Sequence, residues 1–310
     1  MEAIKKSFDE AGQGHVFQLW DTLAEDEQNN LLDQLKSFDP QRLNEIFESS
    51  TKAATESSGG SAVVEPVSLN IVTRKEMAED QVVSWRNKGL EMIASGKLGI
   101  LLLAGGQGTR LGSSKPKGCY DIGLPSGKSL FQIQAERIQR LQKMAWEWMG
   151  TAGMDGDRVS NGKIRWYIMT SPATDMDTQS FFKENGYFGL DEEQIVFFSQ
   201  GMLPAVTEEG KIIRESGGKI AMAPDGNGGV YVALEKHGIL DDMVDKGIEA
   251  VDCCSVDNVL VRLGDPVFAG YCASSGIECG MFGCKVHVFL NFFLLLLVCV
   301  QSQFMMVTTL

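Results

Sequence analysis

An α/β fold, a parallel sheet covered by helices, is predicted by three observations. From about Leu98 onward, short apolar runs and segments with helical periodicity alternate along the chain. The first run, "LGILLLA" (Leu98–Ala104), is apolar throughout, as a strand buried on both faces should be. The segments between successive runs are long enough for the helical crossovers that parallel strands require.

The elements follow in order. Residues 1–50 are helical in pattern: Val16, Leu19, Trp20 and Leu23 recur at helical spacing, as do Leu31, Leu32 and Leu35, then Leu43, Ile46 and Phe47. In "FDPQ", Asp39 is a natural N-cap and Pro40 suits the first helical position, so a helix should begin there. Ser49 to Ala62 is polar and small, the composition of a flexible linker. After the Leu98 strand, "SLFQIQAERIQRLQKMAWEWM" places Leu130, Ile133, Ile138, Leu141 and Met144 on one helical face. The segment Gly150 to Gly162 reads as a surface loop. "IRWYIMTS" is the next strand, "DMDTQSFFKENG" a helix, and "QIVFFSQ" a strand. "GGVYVALEKHGILDDMVDKG" is helical, and "IEAVDCCSVDNVLVRL" contains a further strand with a polar end at Asp257.

Bulk properties exclude several classes. The chain has 310 residues, 44% hydrophobic and 22% charged, and a formal net charge of −13. That field opposes nucleic acid, and no run of Lys or Arg is long enough to reverse it locally. The seven cysteines form no CxxC pair and the three histidines no zinc spacing, so free thiols and a cytoplasmic address are expected. The amino-terminal "MEAIKKSFDEAG" lacks the apolar core of a signal peptide.

The chemistry concentrates in "GILLLAGGQGTRLGSSKPKG" (Gly99–Gly118). "GQGTRLG" is one residue too long for the dinucleotide GxGxxG, with Leu111 where the third glycine should fall. "GLPSGKS" (Gly123–Ser129) is one residue short of a Walker A loop and follows no convincing strand. Neither template fits, yet a buried strand that delivers Gly105, Gly106 and Gly108 lets an anion approach several backbone N–H groups. Arg110 and Lys117 then add fixed positive charge beside that nest.

With "IGLPSGKSLFQIQAERI", "WYIMTSP", "FFSQGMLPA", "MAPDGNGGVYVAL" and "VDNVLVRLGDPVFAGY" following in order, the chain strongly resembles the UDP-sugar pyrophosphorylases, in particular the eukaryotic UDP-N-acetylglucosamine branch. The match runs from about Gly89 to Gly280. The resemblance implies a Rossmann-like nucleotidyltransferase domain with a helical N-terminal extension. It divides the chain into a helical module and linker (1–60), the N-terminal portion of the nucleotidyltransferase domain (61–280) and an apolar tail (281–310). It also implies a uridylyltransferase that makes UDP-N-acetylglucosamine and pyrophosphate from UTP and an amino-sugar 1-phosphate, with Mg²⁺. On that resemblance Gly105, Gly106 and Gly108 set backbone amides against the nucleotide, while Arg110 and Lys117 neutralise the triphosphate and the departing pyrophosphate. Gln200 and Gly226 contact the uracil edge, Asn227 faces the ribose or sugar, and Asp257 holds Mg²⁺. Ser199 departs from the pattern, standing where relatives commonly carry Gln. A sugar phosphate oxygen is already a nucleophile, so the lack of a Ser-His-Asp or Cys-His set is expected.

After "GIECG" the resemblance ends, and the distal part of the sheet is expected to be missing, leaving a bare strand edge. The tail has one basic residue, Lys285, and no acidic one; its apolar stretch Val286–Val300 is short for a membrane span. Its composition resembles translated non-coding sequence more than an anchor. A catalytically incomplete product that at most binds UTP, or a tail-anchored form, are therefore the alternatives to an active uridylyltransferase.

Overall fold

A computed structural model describes residues 1–59, 72–73, 76–108, 112–113, 115–151, 162–226, 228–282, 288–290, 293–295 and 303–307. In chain order, helices α1 (Glu2–Glu10), α2 (Glu25–Lys36) and α3 (Pro40–Gly59) come first. Then follow α4 (Glu79–Ala94), strand β1 (Leu98–Leu103), α5 (Leu130–Thr151), β2 (Arg165–Thr170), α6 (Asp175–Glu184) and β3 (Ile195–Ser199). Four short strands, β4 (Met202–Pro204), β5 (Arg214–Ser216), β6 (Lys219–Ile220) and β7 (Met222–Pro224), precede α7 (Gly229–Lys236) and α8 (Ile239–Asp245). The chain continues through β8 (Ala250–Ser255), α9 (Pro266–Ser274), β9 (Cys279–Phe282), β10 (Val288–Leu290), β11 (Phe293–Leu295) and β12 (Gln303–Val307).

Two compact units result, one of Met1–Ile71 with Gly201–Gly226, the other of Val72–Gln200 with Asn227–Leu310. In the first, Phe8, Val16, Phe17, Leu31, Leu35 and Leu43 share a core with Ile212 and Ile220 from the strand insertion. The insertion, assigned from sequence to the α/β part, thus supplies one side of the helical module's core. Pro40 opens α3 as expected, with Asp39 Oδ1 accepting the N–H of Gln41 at 2.9 Å. The expected linker start is corrected. Helix α3 runs on to Gly59, and the Ser49 and Thr51 hydroxyls are absorbed by bonds back to the carbonyls of Ile46 and Phe47. The expected helix around Val16–Leu23 is instead two 3₁₀ turns, Gly14–Phe17 and Trp20–Thr22. Its backbone is tied by the buried Gln13, whose side chain bonds Asn44 (2.9 Å), the Gly210 carbonyl (2.7 Å) and the Ile212 N–H (3.1 Å).

In the second unit the strand order is β3-β2-β1-β8-β12-β9. Strands β3, β2, β1 and β8 run parallel, as the alternating pattern required. Side chains of β1 alternate between two cores: Leu98, Ile100 and Leu102 pack with α4, α5 and α9, and Leu101 packs with α7 and α8. That is why the strand reads as continuously apolar. Helices α4 and α9 touch backbone to backbone. A Cβ on Gly89 would lie 2.0 Å from the Pro266 carbonyl oxygen, and one on Gly270 1.8 Å from that of Trp85. The Trp85 and Tyr271 rings close the contact edge to face at 5.0 Å.

The edge of β8 is not bare. Strand β12, from the tail, pairs antiparallel with it, Val307 opposite Ala250 and Phe304 opposite Cys253, and β9 pairs with the far side of β12. The expected loop at 150–162 lies mostly outside the described residues, with α5 extending through Thr151. Among the described residues no helix is long and apolar enough to cross a membrane.

At the start of β2, Arg165 grips Asp242 of α8 through two nitrogens (2.5 and 3.2 Å), and the Tyr167 hydroxyl donates to the same carboxylate at 2.9 Å. Burial alone would push the Asp242 carboxyl up. The hydrogen bonds from Arg165 and Tyr167, with the charges of Arg165 and Lys246, outweigh it and hold the carboxyl below its usual range. A carboxyl depressed on folding contributes stability above its unfolded value, about 4, and loses it as pH falls through the folded value. Asp242→Asn is therefore expected to lower stability near neutrality, and the gap from wild type should close as pH falls below the usual carboxyl range and through the folded value. Urea unfolding followed at several pH values checks this; a gap independent of pH would refute it.

Candidate functional site

Register fixes where the site lies. Leu103 of β1 stands level with Met169 of β2 and Ser255 of β8, so Ala104, Thr170–Ser171 and Val256–Asp257 emerge together at the carboxyl edge. The chain runs from β1 outward to β2 and β3, then returns to place β8 on the other side of β1. The crevice between β1 and β8 is thus a topological switch point, where open α/β sheets hold ligands.

The glycine loop is built on that edge. The Ala104 N–H donates to the Met169 carbonyl at 2.8 Å, and the Ser171 hydroxyl donates to the Gly105 carbonyl at 2.8 Å, pinning the loop's base. Further on, the loop folds against its own return. The Gly108 N–H donates to Lys115 O (3.0 Å), the Ser113 N–H to Gly108 O (3.1 Å) and the Lys117 N–H to Gly106 O (3.1 Å). Two of the glycines fit closely against their neighbours. A Cβ on Gly105 would meet the Gln200 amide at 2.9 Å and Thr170 O at 3.2 Å, and one on Gly108 would meet Lys115 O at 3.1 Å. Among the described residues, no hydrogen bond engages the N–H of Gly105 or Gly106, which leaves two donors for an anion.

Lys117 opens a single 3₁₀ turn (Lys117–Cys119) whose next residue, Gly118, is buried under the Phe131 ring; a Cβ there would fall 2.1 Å from it. The turn brings the Lys117 ammonium to Asp257, just past the end of β8, with Nζ 2.8 Å from Oδ2. Both groups are partly open to solvent, the side chains 27% and 54% exposed. Arg137 of α5 donates to the carbonyls of Val259 (2.9 Å) and Val261 (3.0 Å) and so steadies the chain that follows Asp257.

The structure thus brings together Gly105, Gly106, Gly108, Lys117, Gln200 and Asp257 of the residues expected from sequence. Gln200 reaches the group because its N–H donates to Thr170 O at 2.9 Å, at the end of β3. Gly226 closes the other unit with a left-handed φ of +77°. Arg110 and Asn227 lie outside the described residues. Sequence reasoning missed the supporting roles of Ser171, Gly118 and Arg137. For Gly118 the signal was present in the "PKG" segment, beside the loop already singled out; Ser171 carried none of its own.

Among the described cysteines, Cys119, Cys253, Cys254 and Cys272 are kept as protonated thiols by burial and make poor nucleophiles. Burial pushes the thiols of Cys119 and Cys272 up to about 11 and that of Cys253 to about 12, and all five described cysteines are free. Nor do three His, Cys, Asp or Glu side chains gather into a metal centre among the described residues. Asp257 is the carboxylate that faces the crevice beside Lys117. Mg²⁺ commonly takes one or two carboxylates and fills its remaining positions with substrate phosphate and water, so this donor set fits a metal that arrives with a nucleotide.

Glycine amides, a lysine and a carboxylate across the switch point of a parallel sheet define a nucleotidyltransferase-like α/β protein. Comparison with known proteins agrees. The family described as UTP–glucose-1-phosphate uridylyltransferase matches residues 44–285. UDP-N-acetylglucosamine diphosphorylase 2 of Arabidopsis thaliana is 48% identical over 272 residues, covering 87% of this chain and 53% of that protein. The UDP-N-acetylglucosamine pyrophosphorylase of Saccharomyces cerevisiae is 41% identical over 288 residues, 90% of this chain and 57% of that one. Among solved structures, the uridine diphosphate N-acetylglucosamine pyrophosphorylase of Trypanosoma brucei, in complex with an inhibitor, aligns with a TM-score of 0.77 at 31% identity. That alignment covers 92% of this chain and 56% of the other. The chain belongs to the UTP–glucose-1-phosphate uridylyltransferase family. It spans about half the length of the curated relatives it matches.

Proposed function

We propose that this chain is a uridylyltransferase that joins UTP and N-acetylglucosamine 1-phosphate into UDP-N-acetylglucosamine and pyrophosphate. The observation that carries the reading is the meeting of Lys117 and Asp257 beside the amides of Gly105 and Gly106, which no hydrogen bond engages among the described residues. The names of the Arabidopsis and yeast relatives support the choice of N-acetylglucosamine.

In this reading a phosphate oxygen of the sugar 1-phosphate attacks the α-phosphorus of UTP. The bond from that phosphorus to the bridging oxygen breaks, and pyrophosphate leaves with the electron pair. No proton must be removed from the nucleophile, so catalysis reduces to in-line positioning and neutralisation of charge. Gly105 and Gly106 donate N–H groups to the phosphates. Lys117 stands where charge builds on the departing pyrophosphate, with Arg110 assigned the same task. Gln200, at the end of β3, reads the uracil edge; Gly226 and Asn227 are assigned to the nucleotide as well. Asp257 would hold Mg²⁺, which supplies charge neutralisation on the phosphate oxygens. The five described cysteines are free thiols, which supports a cytoplasmic address.

Calorimetry of the full chain with UTP and Mg²⁺, beside a pyrophosphate-release assay with N-acetylglucosamine 1-phosphate, tests the proposal. Binding with turnover is expected. Binding without turnover would leave a nucleotide-binding chain and refute the enzymatic reading, and absence of UTP binding would refute the site itself.

A further inference from the structure

We infer that the Lys117–Asp257 ion pair is a charge lock: the crevice refuses a divalent cation or a polyphosphate offered singly and accepts the two together. The inference rests on the nucleotide reading of this site but concerns the protein before any nucleotide arrives. Without ligand, the cation meant for phosphate and the anion meant for metal neutralise each other at 2.8 Å. They belong to segments 140 residues apart, one folded onto the β1 loop and the other leaving β8.

Consider each ligand alone. A divalent cation approaching Asp257 meets a tethered ammonium already on the carboxylate. Lys117 is anchored at its backbone, its N–H bonded to Gly106 O and its carbonyl accepting from Tyr120. Its stem lies along Gly106, with Cε 3.4 Å and Nζ 3.5 Å from where a Cβ would stand, so an approaching cation must first turn the ammonium off the carboxylate. Asp257 is its one ion-pair partner among the described residues, so no second carboxylate receives the displaced charge. A polyphosphate alone, drawn by the free amides of Gly105 and Gly106, must compete with the Asp257 carboxylate for the same ammonium. A metal–polyphosphate complex has neither difficulty. The carboxylate passes to the metal and the ammonium to a phosphate oxygen, so one ion pair is exchanged for two and no charge is stranded. Coupling of this kind is reciprocal: whatever the cation adds to polyphosphate affinity, the polyphosphate adds to cation affinity.

The lock makes a prediction opposite in sign to simple loss of a binding residue. In nucleotide-free protein, Lys117→Met should bind Mn²⁺, a paramagnetic stand-in for Mg²⁺, about fivefold more tightly than wild type, the upper end of what a partly exposed pair contributes. In EDTA, Asp257→Asn should bind inorganic pyrophosphate about fivefold more tightly by the same reasoning. Lys115→Met and Asp121→Asn change charge equally nearby without touching the pair, and each should move the corresponding affinity less than about twofold. Mn²⁺ binding is read by electron paramagnetic resonance and pyrophosphate binding by calorimetry, on full-length chains whose circular dichroism matches wild type. Unchanged or weaker Mn²⁺ binding by Lys117→Met overturns the lock, as does an equal gain in Lys115→Met. Should Lys117→Met not fold, the Asp257→Asn arm decides alone, and pyrophosphate binding no tighter than in Asp121→Asn overturns the proposal. Neither arm uses UTP. Failure of UTP and Mg²⁺ to bind while both gains appear would reject the nucleotide reading and leave the lock standing.

Discussion

Gly270→Ala is expected to cost the protein roughly 3 kcal/mol of stability, the top of the range for overpacked interiors. Alanine is the better helix former by about 1 kcal/mol, so propensity alone predicts the opposite sign. Geometry decides. The new methyl would sit 1.8 Å from the Trp85 carbonyl oxygen and 2.7 Å from its carbon, atoms of a helix backbone that cannot rotate away. Helices α4 and α9 must separate, and with them the Trp85–Tyr271 contact and the buried face over β1. The melting midpoint should fall by roughly 5–10 °C. Gly150→Ala in α5 is the matched control, because no described residue lies within 4 Å of its added methyl. It should be neutral or gain up to about 1 kcal/mol. Thermal and urea unfolding of both variants checks the pair; a Gly270→Ala protein as stable as wild type would show that the helices do not meet at this distance.

Lys117→Met is expected to slow pyrophosphate release by about 10²–10³, the usual loss when a preorganised group facing developing charge is removed. The fall should lie mainly in kcat, since in the proposed reaction the charge assigned to Lys117 grows as the leaving group departs. Gly118 and Phe131 seat the turn beneath it, so the lysine is held in place before substrate binds. Steady-state kinetics with UTP and N-acetylglucosamine 1-phosphate measure the split. A loss below about tenfold would remove Lys117 from the reacting centre. The same substitution that tightens Mn²⁺ in the free protein would then abolish most turnover, a combination that a misfolded variant does not produce.

Much of the α/β unit was legible because its signals are local. Strand β1 shows its two-sided burial as an unbroken apolar run, and the glycines of 105–108 follow directly from it. Lys117 was legible for the same reason, lying ten residues beyond the loop it folds against. Its pairing with Asp257 was not, since no local period connects residues on opposite sides of a switch point. Ser171 escaped because a hydroxyl beneath a glycine carbonyl looks, in sequence, like any strand-end serine. The stretch after Ser49 was misjudged in the opposite direction. Serine and threonine suggest a linker, but their hydroxyls can also bond back to the preceding helical turn, as Ser49 and Thr51 do. Val16 to Leu23 carries a helical period without a helix because the buried Gln13 side chain holds that backbone to Gly210 and Ile212, nearly two hundred residues away.

That last attachment bears on how the protein is made. Helices α1–α3 leave the ribosome well before Ile212 and Ile220, which complete their core and are translated roughly 150 residues later, a delay of about 10–30 s at ordinary elongation rates. Throughout that interval Phe8, Val16, Leu31 and Leu35 lack one side of their native cover, so the nascent chain, more than the finished one, presents the apolar surface that a chaperone would recognise.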